Sequence, residues 1–193
     1  LLLAGKLKSA HQQAVKIRYA QYPIYVTRNI NEAKHYARQR FSEEPNHRSG
    51  LLASSHAKNL LRHGIDSGYQ ATSNMNVAKW YNAPTSDPKS SNALVQPVTE
   101  FGCQGLELDL PILCWGDDYR RIADDWVLTP INRRYKQDDP QALLRNAYRV
   151  LLTRGRDGLI IFVPEDTSMD STENALLAAG VQLLPTDAEL IAI

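Results

Sequence analysis

Methionine, cysteine and long apolar runs are all scarce in this sequence. Its 193 residues hold two methionines, the first of them Met75, and the chain opens Leu1-Leu2-Leu3-Ala4-Gly5, so it reads as a fragment of something longer. Lys6 and Lys8 break that opening run, which is too short for a signal-peptide core or for a membrane span of about 20 apolar residues. The expectation is a soluble, cytoplasmic protein. Cys103 and Cys114 have neither a CxxC partner nor His/Cys companions at metal-ligand spacing, which points to two buried free thiols rather than a disulfide or a zinc site. One-sided charge is also missing. A net charge of +1 lacks the basic excess of autonomous nucleic-acid-binding domains. Only local clusters, Arg120-Arg121 and Arg133-Arg134 with Lys136, offer contacts, and such clusters are more often solvated faces.

Two catalytic signatures are absent as well. No G-x-x-x-x-G-K-[ST] phosphate loop occurs, and no Asp-Glu pair closes an apolar strand as a magnesium-binding motif would. The chain alone is therefore not expected to hydrolyse ATP. Asp117-Asp118 and Asp124-Asp125 lack the separated Glu and Lys that a metal-dependent nuclease adds.

What remains is enough for one domain. With 43% apolar residues the chain can build a single core over residues 1–193, and it is too short for two such domains. Residues 1–20 read as an N-terminal helical segment. Ile24-Tyr25-Val26 is a strand, followed by a helix from Asn31 to Phe41 that Asn29 or Asn31 caps. The step recurs at Gly50 to Ser55, then Ala57 to Leu61, with Gly64 as the stop. Residues 64–92, rich in Ser, Asn and Pro, form an irregular excursion with Trp80-Tyr81 as an apolar island. Leu94 to Phe101, Leu110 to Trp115 and Leu159 to Val163 are further strands, and their continuous apolar runs favour a parallel sheet buried on both faces. Helices span Gln141 to Leu152 and Ser171 to Ala179. Strands alternating with helices give an α/β fold of three layers, with any ligand expected at the carboxyl ends of the strands.

Two stretches carry chemistry. Thr99-Glu100-Phe101-Gly102-Cys103-Gln104-Gly105-Leu106-Glu107 follows a strand, and its glycines either shape a turn or let backbone approach a phosphate. Tyr148-Arg149-Val150-Leu151-Leu152-Thr153-Arg154-Gly155-Arg156 ends a helix in arginines, which the helix dipole alone would explain. Together, and in this order, they resemble motifs V and VI of superfamily 1 helicases, Thr-x-His-x-x-Lys-Gly-Leu-Glu and Tyr-x-x-x-x-Thr-Arg-x-Arg. The Schlafen-type DNA/RNA helicase domain is the nearest family, through Gln104-Gly105-Leu106-Glu107-Leu108-Asp109, Cys114-Trp115-Gly116 and the Tyr148 to Arg154 run.

That resemblance implies the C-terminal RecA-like lobe of a motor, three-layer αβα with a mainly parallel sheet. Its partners would be an N-terminal RecA-like lobe of the same protein and single-stranded DNA or RNA. ATP with Mg2+ would lie between the lobes, the phosphate loop and magnesium carboxylate coming from the missing one. Arg154 is the implied arginine finger. Gly105 would approach the γ-phosphate, Glu107 the ribose, and Gln104 and Arg156 would lie beside the nucleotide. Arg156 is a second phosphate contact or a lobe-to-lobe ion pair. Thr99, Phe101, Ser54 and Arg28 are the candidates for nucleic-acid contact. Where the helicase pattern has His and Lys, this chain has Phe101 and Gln104, so a bond or charge toward nucleic acid is missing, and Phe101 either stacks on a base or is an ordinary buried aromatic. Thr27-Arg28 and Ser54-Ser55 touch ligand or merely cap the helices that follow. The competing reading is a non-catalytic RecA-like module that binds nucleic acid or serves as a scaffold.

Overall fold

The computed structural model describes residues 1–41, 44, 46–129 and 139–186, so the Arg133, Arg134 and Lys136 cluster lies outside the described residues. After a 3₁₀ turn over Leu2–Ala4 come α1 (Leu7–Tyr19), β1 (Ile24–Thr27), α2 (Ile30–Arg40) and β2 (Ser49–Ala53). Then follow α3 (Tyr69–Thr72), α4 (Val77–Asn82), β3 (Pro97–Val98) and β4 (Leu110–Cys114). A hairpin of β5 (Tyr119–Ile122) and β6 (Asp125–Leu128) precedes α5 (Pro140–Leu152), β7 (Leu159–Phe162), α6 (Asp170–Ala178) and β8 (Gln182–Leu183). Six strands form one sheet in the order β3-β2-β4-β7-β1-β8. Every pairing in it is parallel.

Burial explains the sequence of the central strands. β4 (Leu-Pro-Ile-Leu-Cys) and β7 (Leu-Ile-Ile-Phe) are buried at every position, because helices cover both faces and leave no solvated side to favour polar alternation. Successive residues still go to opposite faces. Val26, Leu52, Leu113 and Ile161 pack with Leu144, Tyr148 and Leu151 of α5 and Leu176 of α6. Leu51, Ile112, Ile160 and Phe162 pack with Ala33, Tyr36 and Ala37 of α2 and with Leu60. This is the three-layer αβα arrangement that the resemblance implies.

The helices start where local chemistry allows. The Asn29 side chain accepts from the backbone N–H of Asn31 at 2.9 Å and so caps α2. Asp139 does the same for α5, accepting from Ala142 N at 2.9 Å, with Pro140 in the first turn where its missing N–H costs nothing.

Three elements depart from expectation. The strand expected over Leu94 to Phe101 is only Pro97–Val98: Leu94 closes a 3₁₀ turn in the left-handed region at φ 55, and Cys103 N–H donates back to Thr99 O at 3.0 Å, turning the chain off the sheet. The excursion over 64–92 contains α3 and α4 and is pinned by Trp80, whose Nε1 donates to Gln96 O at 3.2 Å. Gly50 in β2 makes room for that indole, since a Cβ there would lie 2.7 Å from it. The β5–β6 hairpin was legible from no apolar run. It is held by an aromatic cluster in which Trp115 meets Trp126 at 5.3 Å and Tyr148 at 4.5 Å between ring centroids. Arg121 is correspondingly no surface contact: it is buried, its guanidinium 5.9 Å from the Trp126 ring and 3.6 Å from Asp124. Both cysteines are free and buried.

Candidate functional site

The segment from Thr99 to Asp109 leaves the carboxyl end of β3 and returns to the amino end of β4, with β2 lying between those two strands in the sheet. One loop therefore presents residues at both edges of the sheet. At the amino edge it is bonded to the second motif stretch. Leu108 N–H donates to Arg154 O at 2.9 Å, Arg156 N–H to Leu108 O at 2.8 Å and Asp157 N–H to Asp109 O at 2.9 Å, with a parallel bridge between Leu108 and Gly155. Gly155 is required for this approach, because a Cβ there would sit 2.1 Å from Gly158 O and 2.6 Å from Tyr22 Oη. Tyr22 O–H donates to Gly155 O at 3.1 Å; burial, and then the nearby Asp157 carboxylate, push its pKa up to about 12.

The Arg154 guanidinium is half-buried over this seam. Nε donates to Val150 O at 3.0 Å, Nη1 to Leu106 O at 3.3 Å and Nη2 to Thr153 Oγ1 at 3.2 Å. The ion pairs of the described residues use Arg28, Arg121 and Arg156 and leave Arg154 out. Beside it, Gln104, Gly105 and Glu107 are exposed. Gly105 is left-handed at φ +78 with open space where a Cβ would be. Arg156 has another partner. Its Nη2 donates to the buried Asp109 carboxylate, which also accepts from Arg48 N–H at 2.6 Å. Arg156, expected as a second phosphate contact or a lobe-to-lobe ion pair, is paired with a carboxylate of its own domain in this conformation. The edge differs too: these residues sit at the amino ends of β4 and β7, not at the carboxyl ends, because each arrives on the loop that enters its strand.

The carboxyl edge holds the other candidates, and burial separates them. Phe101 is 67% exposed. The turn at Thr99 puts Cys103, not Phe101, into the core, so the buried-aromatic reading of Phe101 is overturned. Trp80 and Trp115 are core residues at 2% and 0% exposure. Thr99 is buried at 5% and Ser54 at 0%, which leaves neither side chain surface for nucleic acid in this conformation. The Ser54 hydroxyl instead donates to Asp118 Oδ2 at 2.6 Å. Arg28 is engaged by Glu173 at 2.8 Å and Asp170 at 3.0 Å, anchoring α6 to the end of β1.

Sequence reasoning missed two buried carboxylates. Glu100 accepts from Ser55 N–H at 2.9 Å and from Ser55 O–H at 2.7 Å, clamping the Phe101 turn to the end of β2. Asp118 accepts from Ser54 and, at 2.7 Å on Oδ1, from the Tyr148 hydroxyl, which itself accepts from Gly116 N–H at 3.0 Å. Burial raises the Asp118 pKa against the opposing effect of those two hydroxyl donors. Tyr148 is raised well above its ordinary value by burial and by the Asp118 charge. The second member of the Asp117-Asp118 pair, which lacks a nuclease's companion residues in sequence, is a core hydrogen-bond acceptor. Among the described residues no group of His, Cys, Asp or Glu converges as a metal site.

Residues 2–165, which include both motif stretches and the loop between β4 and β5, match the family model for the Schlafen group 3 DNA/RNA helicase domain. The chain belongs to this family. No curated protein and no solved structure gives a match. As a Schlafen group 3 domain, the chain is helicase-like, and nucleic acid is its expected ligand class. Among the described residues no helix is long and apolar enough to cross a membrane. The amino edge of this Schlafen domain gathers an arginine with no acidic partner among the described residues, an unobstructed left-handed glycine and an exposed carboxylate.

Proposed function

We propose that this domain is the C-terminal motor lobe of an ATP-dependent DNA/RNA helicase or translocase, with ATP bound between its amino edge and an N-terminal RecA-like lobe. One observation carries the reading. The hydrogen-bonded seam between Leu108-Asp109 and Arg154-Asp157 brings the Arg154 guanidinium to the same edge as Gly105 and Glu107, unpaired with any acid. A guanidinium in that state is suited to a phosphoryl group, whose charge it meets with a planar fork of donors. Gly105 lets backbone come close to the phosphates, and Glu107 accepts from ribose hydroxyls. The phosphate loop and the magnesium carboxylate belong to the first lobe.

In the conformation described here, Arg154 rests on Leu106 O and Val150 O. Reaching a γ-phosphate requires it to leave Leu106, so closure of the two lobes exchanges a carbonyl acceptor for a charged one. At the other edge, Phe101 is the base-stacking candidate, because an exposed ring on a clamped turn is presented at little conformational cost. Single-stranded nucleic acid and ATP thus occupy opposite ends of the same eleven-residue loop, Thr99 to Asp109.

The test is ATP turnover by the full-length protein in the presence of single-stranded DNA or RNA. An arginine finger is worth about 10³ to 10⁵ in rate, so Arg154→Ala should lower kcat by about that factor while the fold persists. Wild-type protein without turnover would favour the non-catalytic scaffold, and an unaffected Arg154→Ala would remove the finger assignment.

A further inference from the structure

A cleft of about 750 Å3 opens where the end of α2, the start of β2 and the segment after α4 meet. We infer that this cleft is a second ligand site, separate from the nucleotide candidates, and that it takes a small phosphate monoester. The inference does not depend on the motor-lobe reading.

The sheet divides the two sites. Ala37, Phe41 and Leu94 line the cleft and pack with Leu51 of β2, whereas Leu52 packs on the other face with Leu144 and Tyr148 of α5, on whose last turn the Arg154 guanidinium rests. Asn92, buried at 6% exposure, builds the floor of the cleft. Its Oδ1 accepts from Ser49 N–H at 2.7 Å, and its Nδ2 donates to His47 O at 3.0 Å and to Thr85 Oγ1 at 3.2 Å. Two arginines are anchored to the same short stretch: Arg48 Nη1 donates to that His47 carbonyl at 2.9 Å, and Arg38 Nη2 to Ala93 O at 3.1 Å. Each thereby commits one nitrogen to backbone, and among the described residues neither pairs with a carboxylate. The rest of each planar fork is left to a ligand.

Ser49 shows that the cleft lacks an acceptor. It opens β2 with its side chain on the same face as Leu51, the face of the cleft it lines. It is 2% exposed, and its Oγ has no hydrogen-bond partner. A buried hydroxyl is normally paired, because desolvation without a new bond is unfavourable. An oxygen placed in the cleft would complete it. Thr85 Oγ1 accepts from Asn92 and keeps its own hydrogen to donate. Two guanidinium groups and two hydroxyl donors, facing Glu44 as the one carboxylate among the described lining residues, favour a dianion with several acceptor oxygens. Ala37, Pro84 and Leu94 add apolar wall for the group that carries the phosphate. The volume is within the range of about 300 to 1,000 Å3 typical of small-molecule sites, which leaves room for that group.

The experiment is calorimetric titration of phenyl phosphate, and separately of inorganic phosphate, into the full-length protein with a saturating non-hydrolysable ATP analogue present. Wild type should bind phenyl phosphate more tightly than inorganic phosphate. Arg38→Ala and Ser49→Ala should each weaken phenyl phosphate binding by about tenfold or more, the loss of a hydrogen bond to a charged partner, while Arg154→Ala stays within about twofold of wild type. Ser49→Ala also separates binding from packing: with no bond to lose in the free protein, its urea midpoint should equal or exceed that of wild type. Wild type that binds no phenyl phosphate or binds inorganic phosphate equally well, affinity indifferent to Arg38→Ala and Ser49→Ala, a parallel loss in Arg154→Ala, or a lowered midpoint in Ser49→Ala would overturn the cleft site. None of these outcomes bears on ATP turnover, by which the motor-lobe reading is tested.

Discussion

Arg154 is a residue held back. Each of its three nitrogens donates one hydrogen bond, and every acceptor is neutral, so a phosphate oxygen would be a stronger partner than any it now has. Arg154→Ala should therefore change unfolding free energy by only about 1 to 2 kcal/mol in urea titration, a cost out of proportion to its effect on turnover. Gly155→Ala should behave in the opposite way. Its Cβ would collide with backbone at 2.1 Å, and strain of this kind costs about 1 to 3 kcal/mol or more, so both stability and nucleotide affinity should fall together. Asp118 offers a prediction with a sign. Its folded-state pKa is raised by burial, so folding favours the protonated form more than the unfolded chain does. Its contribution to stability is present at low pH and is lost as pH rises through the folded-state value. In Asp118→Asn that loss is absent. Urea midpoints measured from acid to neutral pH should therefore shift in favour of the variant as pH rises, and a shift in favour of wild type would contradict the assignment. At this scale the sequence showed Arg154 and Gly105 because motif spacing is local. It did not show Asp118, because its partners Ser54 and Tyr148 are 64 and 30 residues away and no periodicity connects them.

The elements that matter most are α5 and the loop from Thr99 to Asp109. α5 was legible almost to the residue, since its apolar stripe of Leu144, Ala147, Tyr148 and Leu151 repeats at helical spacing and Pro140 marks its start. It positions Arg154 from below while Tyr148 fixes it to Asp118 and Gly116. Its cap can be tested alone: Asp139→Ala should cost about 1 kcal/mol in thermal or urea unfolding, the usual loss of an N-cap acceptor. The loop was legible as a motif but not as a strut. That it is clamped at one end by Glu100 on Ser55 and at the other by Leu108 on Arg154 depends on long-range hydrogen bonds. Phe101 sits between the clamps, and Phe101→Ala should weaken single-strand binding by about 1 to 3 kcal/mol in fluorescence titration. Because the ring is exposed, unfolding free energy should move by no more than about 0.5 kcal/mol. A stability loss larger than the affinity loss would return Phe101 to a packing role. The β5–β6 hairpin escaped the sequence reading because its strands mix Arg and Asp with aromatics, and only packing of Trp126 on Trp115 and Tyr119 gives it an inner face.

For the whole molecule, strand polarity sorts the ligands. Continuous apolar runs bounded by turn residues announced a buried parallel sheet, and the three-layer arrangement follows from covering both of its faces. Which edge would carry the nucleotide was not legible: the general preference for carboxyl ends applies to loops that leave strands, whereas Arg154 and Glu107 lie on loops that enter them. The result is a domain with the nucleotide candidates at one end and Phe101 at the other, joined by a single hydrogen-bonded loop. The central claim is that Arg154 leaves Leu106 to meet a phosphoryl group. Its most direct test is a structure of the full-length protein with ADP, an aluminium fluoride mimic of the transferring phosphate and a single-stranded oligonucleotide. The account predicts Arg154 Nη atoms within about 2.7 to 3.2 Å of the fluoride ligands and the Leu106 carbonyl released. Arg154 still bonded to Leu106, with the fluoride met by other residues, would contradict it.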